Sequence, residues 1–115
     1  FAADDLARLV SNAYRAPEAA GKKLYIYGPE AIAMNKALER YCQTFHPEAQ
    51  EVSMMPIAMA RSVATSTGNQ MLGFFADLMA YFEQVGEMGD PTEANQLLGA
   101  PTTTLDTWIE QRKAQ

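Results

Sequence analysis

Apolar residues recur at helical spacing through most of the chain, and at strand spacing in two short stretches. Leu6, Leu9, Val10, Ala13 and Tyr14 share one face of an opening helix, with Arg8, Ser11, Asn12 and Arg15 facing out. Asp4 or Asp5 is suited to cap it, and Pro17 and Gly21 close it. Residues 23–27, aromatic and branched between Gly21 and Gly28-Pro29, predict a strand. Residues 34–45 predict the clearest helix, with Met34, Ala37, Leu38, Tyr41, Cys42 and Phe45 on one stripe and Pro47 as the stop. Residues 51–55 alternate weakly before Pro56 and predict a second strand, which the intervening helix would make parallel to the first.

The remainder predicts helices. Residues 57–65 form a short one rich in small side chains, broken by Gly68-Asn69. Residues 70–85 form a longer one whose polar side is little more than Gly73, Asp77 and Gln84. An apolar stripe that wide needs partners on two sides. Pro91 suits the first turn of a helix ending at Leu98 and Gly99. Thr103 or Thr104 starts the last one, along Leu105, Trp108, Ile109 and Arg112. Phe75 and Leu38 sit mid-stripe on their helices and are expected in the core.

The fold expected is α/β and helix-dominated, with a small two-stranded parallel element, in one domain over residues 1–115. The 115 residues are 48% hydrophobic and 20% charged, which excludes a largely disordered chain. A net charge of −5 argues against nucleic acid or an anionic membrane surface as partner. No apolar run approaches the length of a membrane span. The single cysteine, Cys42, cannot form an internal disulfide, so a reducing, cytoplasmic setting is expected. The chain opens on Phe1 rather than Met, with no signal-peptide pattern, and reads as an internal cut in a longer polypeptide.

Catalytic chemistry is sparse. One His and one Cys do not close a metal site, and Cys42 on an apolar face would be a quiet thiol. Cys42 and His46 therefore read as core packing and a solvated helix end. Glu83, Glu87, Asp90 and Glu93 do not follow a calcium-loop spacing and read as a solvated acidic connector. No glycine-rich turn joins a strand to a helix in the way a phosphate cradle requires. None of the five tyrosines has Lys four residues on. The methionines around 54–79 lie near several aromatics; such a surface can line an adaptable apolar pocket, and it can equally be ordinary core.

Four motifs carry a resemblance. They are Asp4-Asp5-Leu6-Ala7-Arg8 before a helix; Ala20-Gly21-Lys22-Lys23-Leu24-Tyr25-Ile26-Tyr27-Gly28-Pro29-Glu30-Ala31; Gly89-Asp90-Pro91; and Leu97-Leu98-Gly99-Ala100-Pro101 with Thr103-Thr104-Leu105 and Trp108. In this order they resemble the C-terminal half of atypical short-chain dehydrogenase/reductases, in particular the NmrA-like NAD(P)-binding proteins. The resemblance spans residues 1–111. Ala33 departs from it, standing where Ser or Thr often starts the following helix.

The resemblance implies the C-terminal portion of a Rossmann-type protein, with the dinucleotide-binding domain lying before Phe1. It implies the substrate-binding region of an NAD(P)-dependent oxidoreductase or epimerase-like protein, not catalytic by itself. NAD(P) would be the parent's cofactor, with none expected for this chain alone. The parent would bind a small-molecule substrate. From helix geometry, Met55, Met59, Phe74, Leu78 and Phe82 are the expected apolar contacts to it. Two alternatives stand beside this: a non-catalytic redox-sensing regulator of the NmrA type, and an autonomous helical module for a hydrophobic ligand or partner. Unpaired strand edges and the wide stripe of residues 70–85 also lead us to expect self-association.

Overall fold

The computed structural model describes residues 1–49 and 51–115. Among them are six α-helices: α1 (Ala3–Arg15), α2 (Met34–Phe45), α3 (Ile57–Thr67), α4 (Gln70–Val85), α5 (Thr92–Leu98) and α6 (Leu105–Lys113). The chain falls into two compact units, one of Phe1–Val52 with Gly89–Gln115 and one of Ser53–Met88.

The helix-dominated expectation holds, and the two-stranded element does not: no strand occurs among the described residues. Residues 23–27 take no regular structure, and side chains rather than a ladder tie this segment down. The Tyr27 hydroxyl donates to the Gly89 carbonyl at 3.2 Å, and Lys22 pairs with Glu93. The Tyr25 ring lies against Gly89, whose φ is +105°. Residues 51–55 are mostly exposed, with only Val52 half-buried. Two short runs with no third strand to pair with gain too little to form a ladder.

In the first unit the core is small. Leu9, Ala94, Leu98, Pro101 and Ile109 are buried, with Leu9 and Ile109 the largest fully buried side chains. α1 packs on α5, and α2 on α6. The buried side of α1 matches the predicted one only at Leu9 and the half-buried Ala13. It carries Asp5, Leu9 and the half-buried Asn12, with Arg8 at its exposed edge, while Val10 is 50% and Tyr14 92% exposed. The backbone of residues 98–103 explains the rotation. Its Leu98 and Ala100 carbonyls and Thr102 and Thr103 N–H groups take their partners from the polar side of α1. Leu38, expected in the core, is exposed.

The second unit is the α3–α4 hairpin. Gly68 at φ +66° ends α3 in the left-handed conformation that glycine adopts without strain. Asn69 then caps α4, its side chain accepting the Leu72 N–H at 3.1 Å. Small residues meet across the hairpin. Ala60, Ala64 and Ala76 are buried, and a Cβ placed on Gly73 would lie 3.6 Å from Ala64 Cβ. Gly73 therefore belongs to the helix–helix contact, not to a polar face. Arg61 and Asp77 close the hairpin's side with an ion pair at 2.9 Å. The large side chains of α4 point elsewhere, and Phe75 is 50% exposed.

Candidate functional site

Three segments distant in sequence converge at the start of α6. Asp5, in the first turn of α1, does not cap its own helix; the N-cap there is Ala2, with no side-chain bond. Its carboxylate instead accepts the N–H of Thr102 at 3.0 Å and of Thr103 at 2.8 Å, and Arg8 donates to it at 3.2 Å. The same Arg8 donates to the Ala100 carbonyl, and Asn12 to that of Leu98. Glu30, in the loop after Gly28-Pro29, accepts the Leu105 N–H at 2.6 Å. Thr104 is the helix's own cap, accepting the Thr107 N–H at 3.1 Å. Carboxylates beside the N-terminus of a helix sit favourably in its dipole.

The Thr103 N–H holds the Asp5 carboxyl below the usual carboxylate range. Arg8 and the Thr102 N–H act the same way, and burial acts against them. Asp90 is likewise lowered, by the hydroxyl and backbone N–H of Thr92 at the start of α5.

Beside this junction lies a pocket of about 490 Å³. Phe1, Ile32 and Trp108 give it apolar walls, and Glu30, Thr103 and Thr104 a polar edge. Its size and mixed lining suit a small amphipathic molecule. Trp108 has two ring neighbours, the Tyr41 ring at 6.3 Å and the Arg112 guanidinium at 5.4 Å. Arg40 of α2 donates to Asp106 at 2.7 Å, fixing α2 against α6.

The start of α6 has no open row of backbone N–H groups of the kind that receives a phosphate. A pyrophosphate needs backbone N–H groups that are open to it. Here the N–H groups of residues 102, 103, 105 and 107 are taken by Asp5, Glu30 and Thr104, and two of those acceptors carry charge that repels phosphate.

The five expected substrate contacts lie in the second unit. Phe74, Leu78 and Phe82 follow one another along α4, with Phe74 61% and Phe82 45% exposed and Leu78 half-buried. Met59, on α3, is exposed on the side turned from α4, since Ala60 and Ala64 make that contact. Met55 precedes α3 and is exposed. None of the five lines the pocket at α6. Cys42 is half-buried, and His46 is exposed with its ring nitrogen 3.1 Å from Glu48. Among the described residues, no group of three or more His, Cys, Asp or Glu is placed to hold a metal ion. No helix there is long and apolar enough to cross a membrane.

Sequence reasoning missed the linking roles of Asp5 and Glu30. The available signal was a carboxylate beside Gly28-Pro29, in a loop where no helix of its own needs it. Its partner stands 75 residues away, beyond the reach of any local pattern. Comparison with protein-family models, with curated proteins and with solved structures finds no match for this chain.

Proposed function

We propose that this chain is the substrate-side region of an NAD(P)-linked oxidoreductase or epimerase-like protein related to the short-chain dehydrogenase/reductases. One observation carries the proposal. Three of the motifs that make up the resemblance bond directly to one another, Asp5 to residues 102 and 103 and Glu30 to residue 105. Chance matches to short motifs have no reason to meet at one helix start. The dinucleotide would be held by another part of the parent, because the N–H groups at that helix start already have partners. This chain's own contribution is shape and apolar contact, with Met55, Met59 and Phe74 among the exposed side chains available for it. A second reading, a helical module for an apolar ligand or partner, is favoured by the uncovered side of α4.

Calorimetric titration of NADH and NADPH tests the first. The product of the whole reading frame is expected to bind with micromolar affinity, and this 115-residue chain to show no binding. Micromolar binding by the chain alone would overturn the division of labour. A reading frame with no glycine-rich turn upstream, or a product that does not bind, would overturn the family assignment. Turnover by a binding-competent product would then separate an enzyme from a redox-sensing regulator.

A further inference from the structure

We propose that the chain pairs with a second copy of itself through one face of α4, in a two-fold antiparallel contact centred near Leu78. Met71, Phe75, Leu78, Phe82 and Val85 stand four, three, four and three residues apart. That is the alternating spacing of a coiled-coil seam, sustained over two heptads. At helical geometry this seam lies on the side of α4 opposite Gly73 and Ala76, which meet α3 or are buried. Met71 is 64%, Phe75 50%, Phe82 45% and Val85 42% exposed. α3 is thus the first of the two partners that so wide a stripe requires, and the second is not supplied within the hairpin.

Area and charge indicate what the second partner is. With about 200 Å² for a whole side chain of this size, the exposed seam residues together with the flanking Phe74, Met79 and Tyr81 leave roughly 700 Å² of α4 uncovered. The largest apolar patch on an ordinary monomer is about 300–600 Å², whereas a stable interface covers about 800 Å² on each partner. The patch is therefore too large for a bare monomer and close to one half of a dimer contact. A two-fold contact sets each seam against its own copy, so any charge on it would face a like charge. The seam has none, and its flanking residues Leu72, Phe74, Met79 and Tyr81 are uncharged. α4 carries two carboxylates, Asp77 and Glu83, and neither stands on the seam; Asp77 is paired with Arg61. By the same reckoning the exposed side of α1, Leu6, Val10 and Tyr14, presents only about half that area, within the ordinary monomer range.

In the antiparallel arrangement Phe75 of one copy meets Phe82 of the other. Pairing takes Phe74, Leu78 and Phe82 out of the set available to a substrate and leaves Met55 and Met59. It does not rest on the dinucleotide proposal, and its test is independent of any cofactor.

Sedimentation equilibrium of the whole chain across a concentration series provides that test, with helicity followed in parallel. The wild type is expected to form a reversible dimer. Phe75→Glu with Phe82→Glu is expected to weaken it about 100-fold or more, and Phe75→Lys with Phe82→Lys to do the same. Mixing the two double variants is expected to restore a dimer containing one copy of each. Val10→Glu with Tyr14→Glu is expected to leave association unchanged. A wild-type chain that stays monomeric at millimolar concentration overturns the proposal. So does a monomer that takes up an apolar dye along α4, which would assign the face to a small ligand. Dimers that survive both charged pairs, or a mixture that stays monomeric, overturn it too. Should the charged variants lose helicity, Phe75→Gln with Phe82→Gln replaces them, and retention of wild-type association then counts against the seam.

Discussion

The two units hold themselves together by opposite means. In the unit of Phe1–Val52 with Gly89–Gln115, polar side chains reach across the sequence to backbone groups: Asp5 to Thr102 and Thr103, Asn12 to Leu98, Glu30 to Leu105. In the α3–α4 unit, neighbours in sequence meet through alanines and one glycine, and the large apolar residues remain outside. The first kind of contact is specific, because a buried N–H left without its acceptor carries a heavy penalty. The second is local and quickly formed, but it covers little apolar surface. The difference teaches where each unit's stability comes from. One is specified within itself, and the other leaves a face that something else must cover.

The sharpest way to break this contrast is in the first unit's core. Ile109→Ala or Leu9→Ala is expected to cost about 2–5 kcal/mol, since both side chains are fully buried. Phe75→Ala, measured at concentrations too low for self-association, is expected to cost under about 1 kcal/mol, because half of that ring already faces water. Trp108 is the only tryptophan, so its fluorescence reports urea unfolding of the first unit, while helical circular dichroism reports both. Equal losses at Ile109 and Phe75 would mean that the two units are not built differently.

Next in size is Asp5→Ala, expected to cost about 2–3 kcal/mol by removing a charged acceptor from two buried-side N–H groups. Its pH dependence has a definite sign. The folded state lowers the Asp5 pKa, so the stabilisation is complete above the unfolded carboxylate range and is lost as pH falls below it. Urea melts followed by Trp108 fluorescence are expected to weaken from pH 6 to pH 3 in the wild type, and to weaken less in Asp5→Asn. An acid limb of the same depth in both proteins would place its origin at another carboxylate.

Gly89→Ala is expected to cost about 1–3 kcal/mol. Its Cβ would run into the Tyr25 ring, and a positive φ strains any residue with a Cβ. The loss should appear in Trp108 fluorescence, because Tyr25 and Gly89 belong to the first unit. The smallest effect is expected at Asp77→Asn, about 0.5 kcal/mol or less, because its ion pair with Arg61 is solvent-exposed. A larger loss there would show that the hairpin depends on charge and not on its small-residue contact.

Helix positions were legible from the chain alone because they depend on neighbours three and four residues away. The period over Met34–Phe45, the glycine at position 68 and the asparagine that follows it define starts and stops locally. The width of the apolar stripe on α4, and the need for two partners that follows from it, were also written in residues 70–85. Tertiary structure alone decided which face of each helix is buried. On α1 the backbone groups of residues 98–103 outweighed the apolar stripe, turning Asp5 and Asn12 toward them and leaving Val10 and Tyr14 outward. It also decided that residues 23–27 and 51–55 do not pair as strands, since a ladder needs a partner that no local pattern can supply. Periodicity measures how apolar a face is, whereas burial depends on which distant backbone groups must be satisfied when that face arrives.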